Sequence, residues 1–522
     1  MPPRKSALQN SLWYGFETAL DVVVNVGASI AVARVMGPER LGYLLYLMFL
    51  TNVAGKVGGA GIAAAVRKYM AEHLARGEHG LARIVFVSGL SLQAGIAAIV
   101  AVAGCLLALS YGEPEHRPVA YILVAACVPG LLTLIPAQAH MASEDFRRNV
   151  PSAIAGQLAY AAGITLSLTL GWGLVGLASA HLARRTTEAS IRIAHAAGWV
   201  RRLPKVPRPK YLWPSLLRFS AQSLAITVVT VVVWDRSEVV FLRQFSAITE
   251  LAYYSLAFTL VERALLVSTV LGSAFSAKIM AGYTRAPHEL GGMITGAMRH
   301  VALIAMPLQC GLAALSAPVM HVAYGSLWEG SIPVLAISAL LGIPKMFQWL
   351  PITLLQAADR QGRILKWLLV AAAVNVGLDA TLIPAHGAIG AAFANGLAQA
   401  FAIGGLWLLS VRFGGGARPF AALSRVAASA AVMTIPVAGI ALVLPPLPAA
   451  LAGVSVGAIV YGAMIRWTRA LTSEDAAALA ALASRLPGIP APAAMRAARF
   501  LAAAGPREAE TPAQQTVTEP AP

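Results

Sequence analysis

Charge is what this sequence has least of. Only 12% of its 522 residues are Asp, Glu, Lys or Arg, about half the roughly 25% found in soluble domains. A chain of this length cannot clothe a water-exposed surface from that supply. With 58% of residues hydrophobic, the composition is that of a multi-span membrane protein. Acid is scarcer than base, with 23 Asp and Glu against 40 Lys and Arg and a formal charge of +17. The basic residues lie in short loops between apolar runs. They read as topology signals and contacts to anionic membrane lipids, not as a nucleic-acid surface. Cysteine is nearly absent: Cys105, Cys127 and Cys310 all fall in apolar runs and make neither a disulfide framework nor a metal cluster. No glycine loop of the phosphate-cradling kind precedes a helix, and Gly414-Gly415-Gly416 is followed by no Lys-Ser/Thr, so ATP hydrolysis is not expected. The loops opposite the basic ones are short, and Glu113-Pro114-Glu115-His116-Arg117 is too isolated for a catalytic constellation. Neither an enzyme nor a cofactor is expected.

What the sequence does have is repetition. Pro129 and Pro136 recur as Pro344 and Pro351 at an offset of 215, and Gly173 and Gly176 as Gly387 and Gly390 at 214. A looser match pairs Leu41-Gly42-Tyr43 with Leu251-Ala252-Tyr253. Ordered landmarks at nearly one offset point to an internal duplication, the plan on which many transporters are built. On a ruler of about 20 apolar residues per crossing, the expected fold is all-α. It is a polytopic membrane protein of about 14 transmembrane helices: two parallel-repeat six-helix lobes plus a C-terminal helix pair. The boundaries are an N-lobe over 1–200, a basic proline-rich linker over 201–216, a C-lobe over 217–412, the helix pair over 413–470, and a short helix with a disordered tail over 471–522. No small-residue cleavage site follows the first apolar run, which reads as a retained span. The Lys and Arg bias between alternate loops places both termini in the cytoplasm, with the chain in the inner or plasma membrane.

Several stretches resemble the oligosaccharide flippases of the multidrug/oligosaccharidyl-lipid/polysaccharide exporter superfamily. These are Ala33-Arg34-Val35-Met36-Gly37-Pro38-Glu39-Arg40-Leu41-Gly42-Tyr43, Arg67-Lys68-Tyr69 with the Ala71–Gly77 run, Asn375 with Ile383–Ala392, and Leu471-Thr472-Ser473-Glu474-Asp475. The resemblance covers roughly residues 5–486. It implies two six-helix lobes around a cavity open alternately to either side. The implied cargo is a polyprenyl-diphosphate-linked oligosaccharide moved between leaflets, with H+ or Na+ and other polysaccharide-assembly membrane proteins as partners. Tyr43-Leu44-Leu45-Tyr46 is bulkier than this pattern, and the chain beyond 487 has no counterpart in it.

Ionisable residues within spans are costly and face the protein interior or a wet cavity, so they are the candidate site. Glu17, Asp21 and Asn25 step by four and share one helical face. Glu17 and Asp21 are assigned to ion coupling; the structural alternative for Asp21 is a pair with a cation such as Lys56. Lys56, among Gly55, Gly58, Gly59 and Gly61, either meets a diphosphate or pairs with Asp21. Asp235 at the end of the seventh span reads as an interfacial anchor with a local ion pair. Arg263 is the preferred diphosphate contact because a guanidinium grips phosphate oxygens bidentately; the alternative is an ion pair within its own lobe. Lys345, whose repeat counterpart is Gly130, is a charge the shared scaffold does not need and is assigned to cargo. Asn375 is assigned to cargo and Asp379, one turn on, to ion coupling, with Lys345 or Arg263 as its expected partner. Inward-facing Lys56, Arg263 and Lys345 favour anionic cargo. A drug or cation antiporter would need an acidic, aromatic cavity instead, whereas a lipid II flippase would share the cationic one.

Overall fold

The computed structural model describes residues 7–111, 113–207, 209, 212–416 and 420–471. The expected helix and tail beyond 471, and Arg208 and Lys210 of the linker, lie outside the described residues. Among those described there is no strand. In order, the α-helices are α1 (Ala7–Ala75), α2 (His79–Tyr111), α3 (Arg117–Leu132), α4 (Leu134–Ala142), α5 (Val150–Thr169), α6 (Gly173–Val200), α7 (Leu212–Trp234) and α8 (Glu238–Phe245). Then come α9 (Ile248–Arg285), α10 (Leu290–Ala314), α11 (Ser316–Ala323), α12 (Ser331–Leu341), α13 (Trp349–Ala357), α14 (Gln361–Ser410), α15 (Phe420–Val443) and α16 (Pro446–Trp467).

Among the described residues ten stretches are long and apolar enough to cross a membrane. Two of them, in α1 and α14, are each broken in two by a glycine in a non-helical conformation, Gly37 and Gly387. Helix α5, with 20 residues and no charged side chain, and helix α6, with 28 residues including Arg184, Arg185, Glu188 and Arg192, are also long enough to cross. With these included, the crossing segments number fourteen, in the places the apolar runs indicate. The protein is a multi-pass, all-α membrane protein.

The duplication is written in the backbone. Helices α4 and α13 are nine residues each and sit 215 residues apart. Each is followed by a non-glycine residue with positive φ, Glu144 (55°) and Asp359 (54°). The next glycine landmarks, Gly173 (58°) and Gly387 (53°), match as well. Pro129 and Pro344 lie in equivalent interrupted spans, where α3 gives way to α4 and where a 3-10 turn, Pro344–Phe347, separates α12 from α13. The second proline of each pair accounts for the breaks: Pro136 cannot donate to the Leu132 carbonyl, where α3 ends, nor Pro351 to that of Phe347, where the 3-10 turn ends.

By backbone proximity the chain divides into two compact units. The first comprises Met1–Arg263, Met320–Leu341 and Gln361–Gly405; the second comprises Ala264–Val319, Gly342–Arg360 and Leu406–Pro522. In the first, a core of Ile62, Val66, Met70, Val85, Phe86, Ile135, Leu212 and Leu216 knits α1, α2, α4 and α7 together. Glycine makes the close approaches: a Cβ on Gly61 would strike the Ser220 backbone of α7, and one on Gly59 would strike Leu134. In the second, α10 packs on α15, α15 on α16, and Tyr461 donates a 2.9 Å bond to the Leu303 carbonyl.

Candidate functional site

Within the first unit, α1, α5, α6 and α9 bring four arginines to three acids. Asp21 Oδ1 accepts from Arg184 Nη2 and Gln157 Nε2, both at 2.8 Å, and from Asn25 Nδ2 at 2.9 Å. Its Oδ2 faces Arg263 Nη1 at 3.5 Å. Arg184 also donates to Glu188 Oε1 at 3.0 Å and to Asn25 Oδ1 at 3.2 Å. Arg185 reaches the other Glu188 oxygen at 3.5 Å, and Arg192 ties Glu17 at 3.1 Å to Ser152 at 2.7 Å. The α6 residues Arg184, Glu188 and Arg192 step by four and line one face. Gly156 of α5 leaves room for Glu188, and Gly163 for Ala180, so the two helices pack closely enough for the network to close.

The four guanidinium groups exceed the three carboxylates by one charge. Their grip is uneven. Arg184 and Arg192 are nearly enclosed, whereas Arg185 and Arg263 each keep 30% of their side chain exposed and hold their acids at 3.5 Å. Those two can turn to an anionic ligand while the inner pairs hold the frame. Guanidinium suits phosphate because its donors meet two oxygens at once.

A second network lies in the same unit, between the α7–α8 corner and α14. Asn375 Nδ2 donates to the Val232 carbonyl and to Ser237 Oγ, both at 2.9 Å, and Ser237 Oγ lies 3.3 Å from Asp379 Oδ2. Glu238 accepts from Tyr254 OH at 2.9 Å and Asn395 Nδ2 at 2.7 Å. Glu238, Asn375 and Asp379 are fully buried, yet Asn375 Oδ1 and Asp379 Oδ1 have no hydrogen-bond partner. Buried acceptors without donors are costly, and two acids with an amide oxygen are the hard donors an alkali cation or proton takes. Among the described residues no group of three His, Cys, Asp or Glu could hold a metal ion.

Of the residues singled out in the sequence, Glu17, Asp21 and Arg263 meet in the first network, and Asn375 and Asp379 in the second. Four readings of their partners are corrected. Lys56 does not pair with Asp21; its Nζ lies 2.6 Å from Asp235, so Asp235 has a partner from another helix and not a local one. Arg263 pairs with Asp21 of the first repeat and not within its own. Asp379 accordingly takes Ser237 in place of Arg263. Lys345 is buried in the 3-10 turn of the second unit, against which α10 packs. Arg184, Arg185, Glu188, Arg192, Gln157, Glu238 and Asn395 were not foreseen. The four-residue steps at 184, 188 and 192 are the signal that could have found three of them.

The family described as polysaccharide biosynthesis protein matches residues 31–333, more than half of the chain. The chain belongs to that family. It is 25% identical over 315 residues to the succinoglycan biosynthesis transport protein ExoT of Rhizobium meliloti (strain 1021). That match takes in 59% of this chain, which spans 60% of the length of that relative. The fold is that of the MOP superfamily. The lipid II flippase MurJ in an inward closed conformation superposes with a TM-score of 0.69 at 14% identity, over 88% of this chain and 98% of that one. A multidrug resistance MATE transporter, inward-facing, gives 0.64 at 15% identity, over 75% and 94%.

Proposed function

We propose that this member of the family is a flippase carrying a polyprenyl-diphosphate-linked oligosaccharide from the cytoplasmic to the outer leaflet of the inner or plasma membrane. The observation that carries the reading is the cationic excess of the first network, with Arg185 and Arg263 loosely held at its margin. A lipid diphosphate needs both its charge and its bidentate oxygens met, and two available guanidinium groups meet them. A cation antiporter would call for the opposite sign. Lys56 and Lys345 are assigned supporting roles toward cargo, whereas the fully buried Asn375 goes with Asp379 to coupling; the two six-helix lobes alternate access by rocking. A lipid II flippase would use the same chemistry, so the saccharide is the open variable.

The second network is assigned to coupling. Asp379, with Glu238 and the free Asn375 oxygen, would take H+ or Na+; Glu17 and Asp21 would take part in coupling through the ion pairs they make with Arg192 and Arg184. The test is complementation of a deletion strain, scoring surface polysaccharide. Arg263→Ala and Arg185→Ala, singly and together, are expected to abolish or sharply reduce it at normal protein level. Full polysaccharide from the double variant removes these arginines from the cargo site.

A further inference from the structure

Each repeat carries an arginine three residues before the break that precedes its second span. Arg34 precedes Gly37, whose φ is 69° and ψ 172°. Arg243 precedes Ser246, the extended residue (φ −135°, ψ 169°) between α8 and α9. Both arginines reach across to the turn after the third span of the other repeat, and all the residues involved lie in the first unit. Arg34 Nε donates to the Ala323 carbonyl at 2.8 Å, and its Nη2 to the Val322 carbonyl, at the C-terminal end of α11. Trp328 Nε1 answers with a 3.2 Å bond to the Ala33 carbonyl. Arg243 Nη2 sits 3.1 Å from Glu113 Oε1, in the turn after α2, and its guanidinium covers the Tyr43 and Tyr46 rings at 5.6 and 5.9 Å.

Each turn is in turn braced by a tyrosine of its own repeat. Tyr43 packs on His116 with ring centroids 4.1 Å apart and donates to Glu113 at 3.4 Å. Tyr253, its counterpart, packs edge-on against Trp328 at 6.1 Å. The bulk at Tyr43 and Tyr46, unlike the family pattern, thus has a use: it floors the Arg243 contact.

We infer that these two reciprocal arginine clasps are the latch that holds the repeats together at the Gly37 end of the protein, and that both must release for the cargo path to open there. This rests on the alternating-access part of the proposed function. The contacts join carbonyl ends and an exposed carboxylate, so they are weak enough to break in each cycle. A helix C-terminus, carrying partial negative charge, suits a guanidinium without needing a matching acid.

The test uses the full chain, with its native cysteines replaced, in lipid nanodiscs without cargo. Spin labels are placed on the exposed positions Leu109 and Leu327, one in each repeat. Arg34→Ala, Glu113→Gln and Arg243→Ala are each expected to raise the ratio of long to short label distances roughly threefold, as an exposed pair would. Losing both clasps should raise it further, and exchanging Glu113→Arg with Arg243→Glu should restore the short distance. Unchanged distances in the double-clasp variant, or a charge exchange that restores nothing, overturn the latch. The measurement involves no cargo, so the two readings fail separately. Unchanged distances with normal polysaccharide remove only the latch, and shifted distances in a protein that moves no lipid-linked saccharide remove only the flippase.

Discussion

Asp21 accepts donors from four different helices: Asn25 of α1, Gln157 of α5, Arg184 of α6 and Arg263 of α9. Those donors do different work. Arg184 is enclosed between Glu188 and Asp21, and Arg185 has Glu188 as its acid, so removing Glu188 leaves Arg184 with half its counter-charge and Arg185 with none. Glu188→Ala is expected to cost about 3 kcal/mol or more in stability, read as a lowered melting temperature in detergent or nanodisc. Arg263 stands at the margin of the same network. Arg263→Ala is expected to leave melting nearly unchanged while transport falls by about tenfold or more, the loss of one charge-assisted bidentate contact. Asp379→Asn keeps the size of the side chain and its Ser237 contact but removes the charge. It should leave cargo binding intact and abolish the response of transport to an imposed H+ or Na+ gradient. The sequence made Glu17, Asp21, Arg263, Asn375 and Asp379 conspicuous because each is a polar interruption of an apolar run. It did not reveal their partners, because Arg184 and Glu188 meet Asp21 only after α5 and α6 pack, and no local pattern encodes that approach.

At the scale of elements, proline and glycine punctuation carried most of the information. The paired prolines announced the interrupted spans of α3–α4 and α12–α13, because a missing amide donor weakens its own turn, although single prolines at 307 and 436 leave α10 and α15 unbroken. The repeat landmarks likewise anticipated the left-handed glycines at 173 and 387. The short helix α8 was not legible: Glu238 to Phe245 reads as a span end, and its geometry depends on burying Glu238 against Tyr254 and Asn395. Glycine also decides where helices touch. Gly61→Val would drive a branched side chain into the Ser220 backbone and separate α1 from α7. The expected result is a clear drop in melting temperature and in membrane-inserted yield, with Gly55→Val, which faces open space, as the near-neutral control.

For the whole molecule, the scarcity of charge and the duplication sufficed for the fold class, since both follow from what a bilayer demands of every segment. Helix α6 is where the site adds most polarity to a span, with Arg184, Arg185, Glu188 and Arg192 in one helix. On the proposed function the sign of that site is decisive, because its arginine excess would select an anionic lipid diphosphate. The most direct measurement is made on purified protein in sealed vesicles. It compares translocation of a polyprenyl-diphosphate-linked oligosaccharide with that of a cationic amphiphile of similar size, in wild type and in the Arg185→Ala/Arg263→Ala variant. Only the diphosphate carrier is expected to cross, and the variant is expected to lose this transport. Preferential movement of the cationic amphiphile, or undiminished diphosphate transport by the variant, would contradict it.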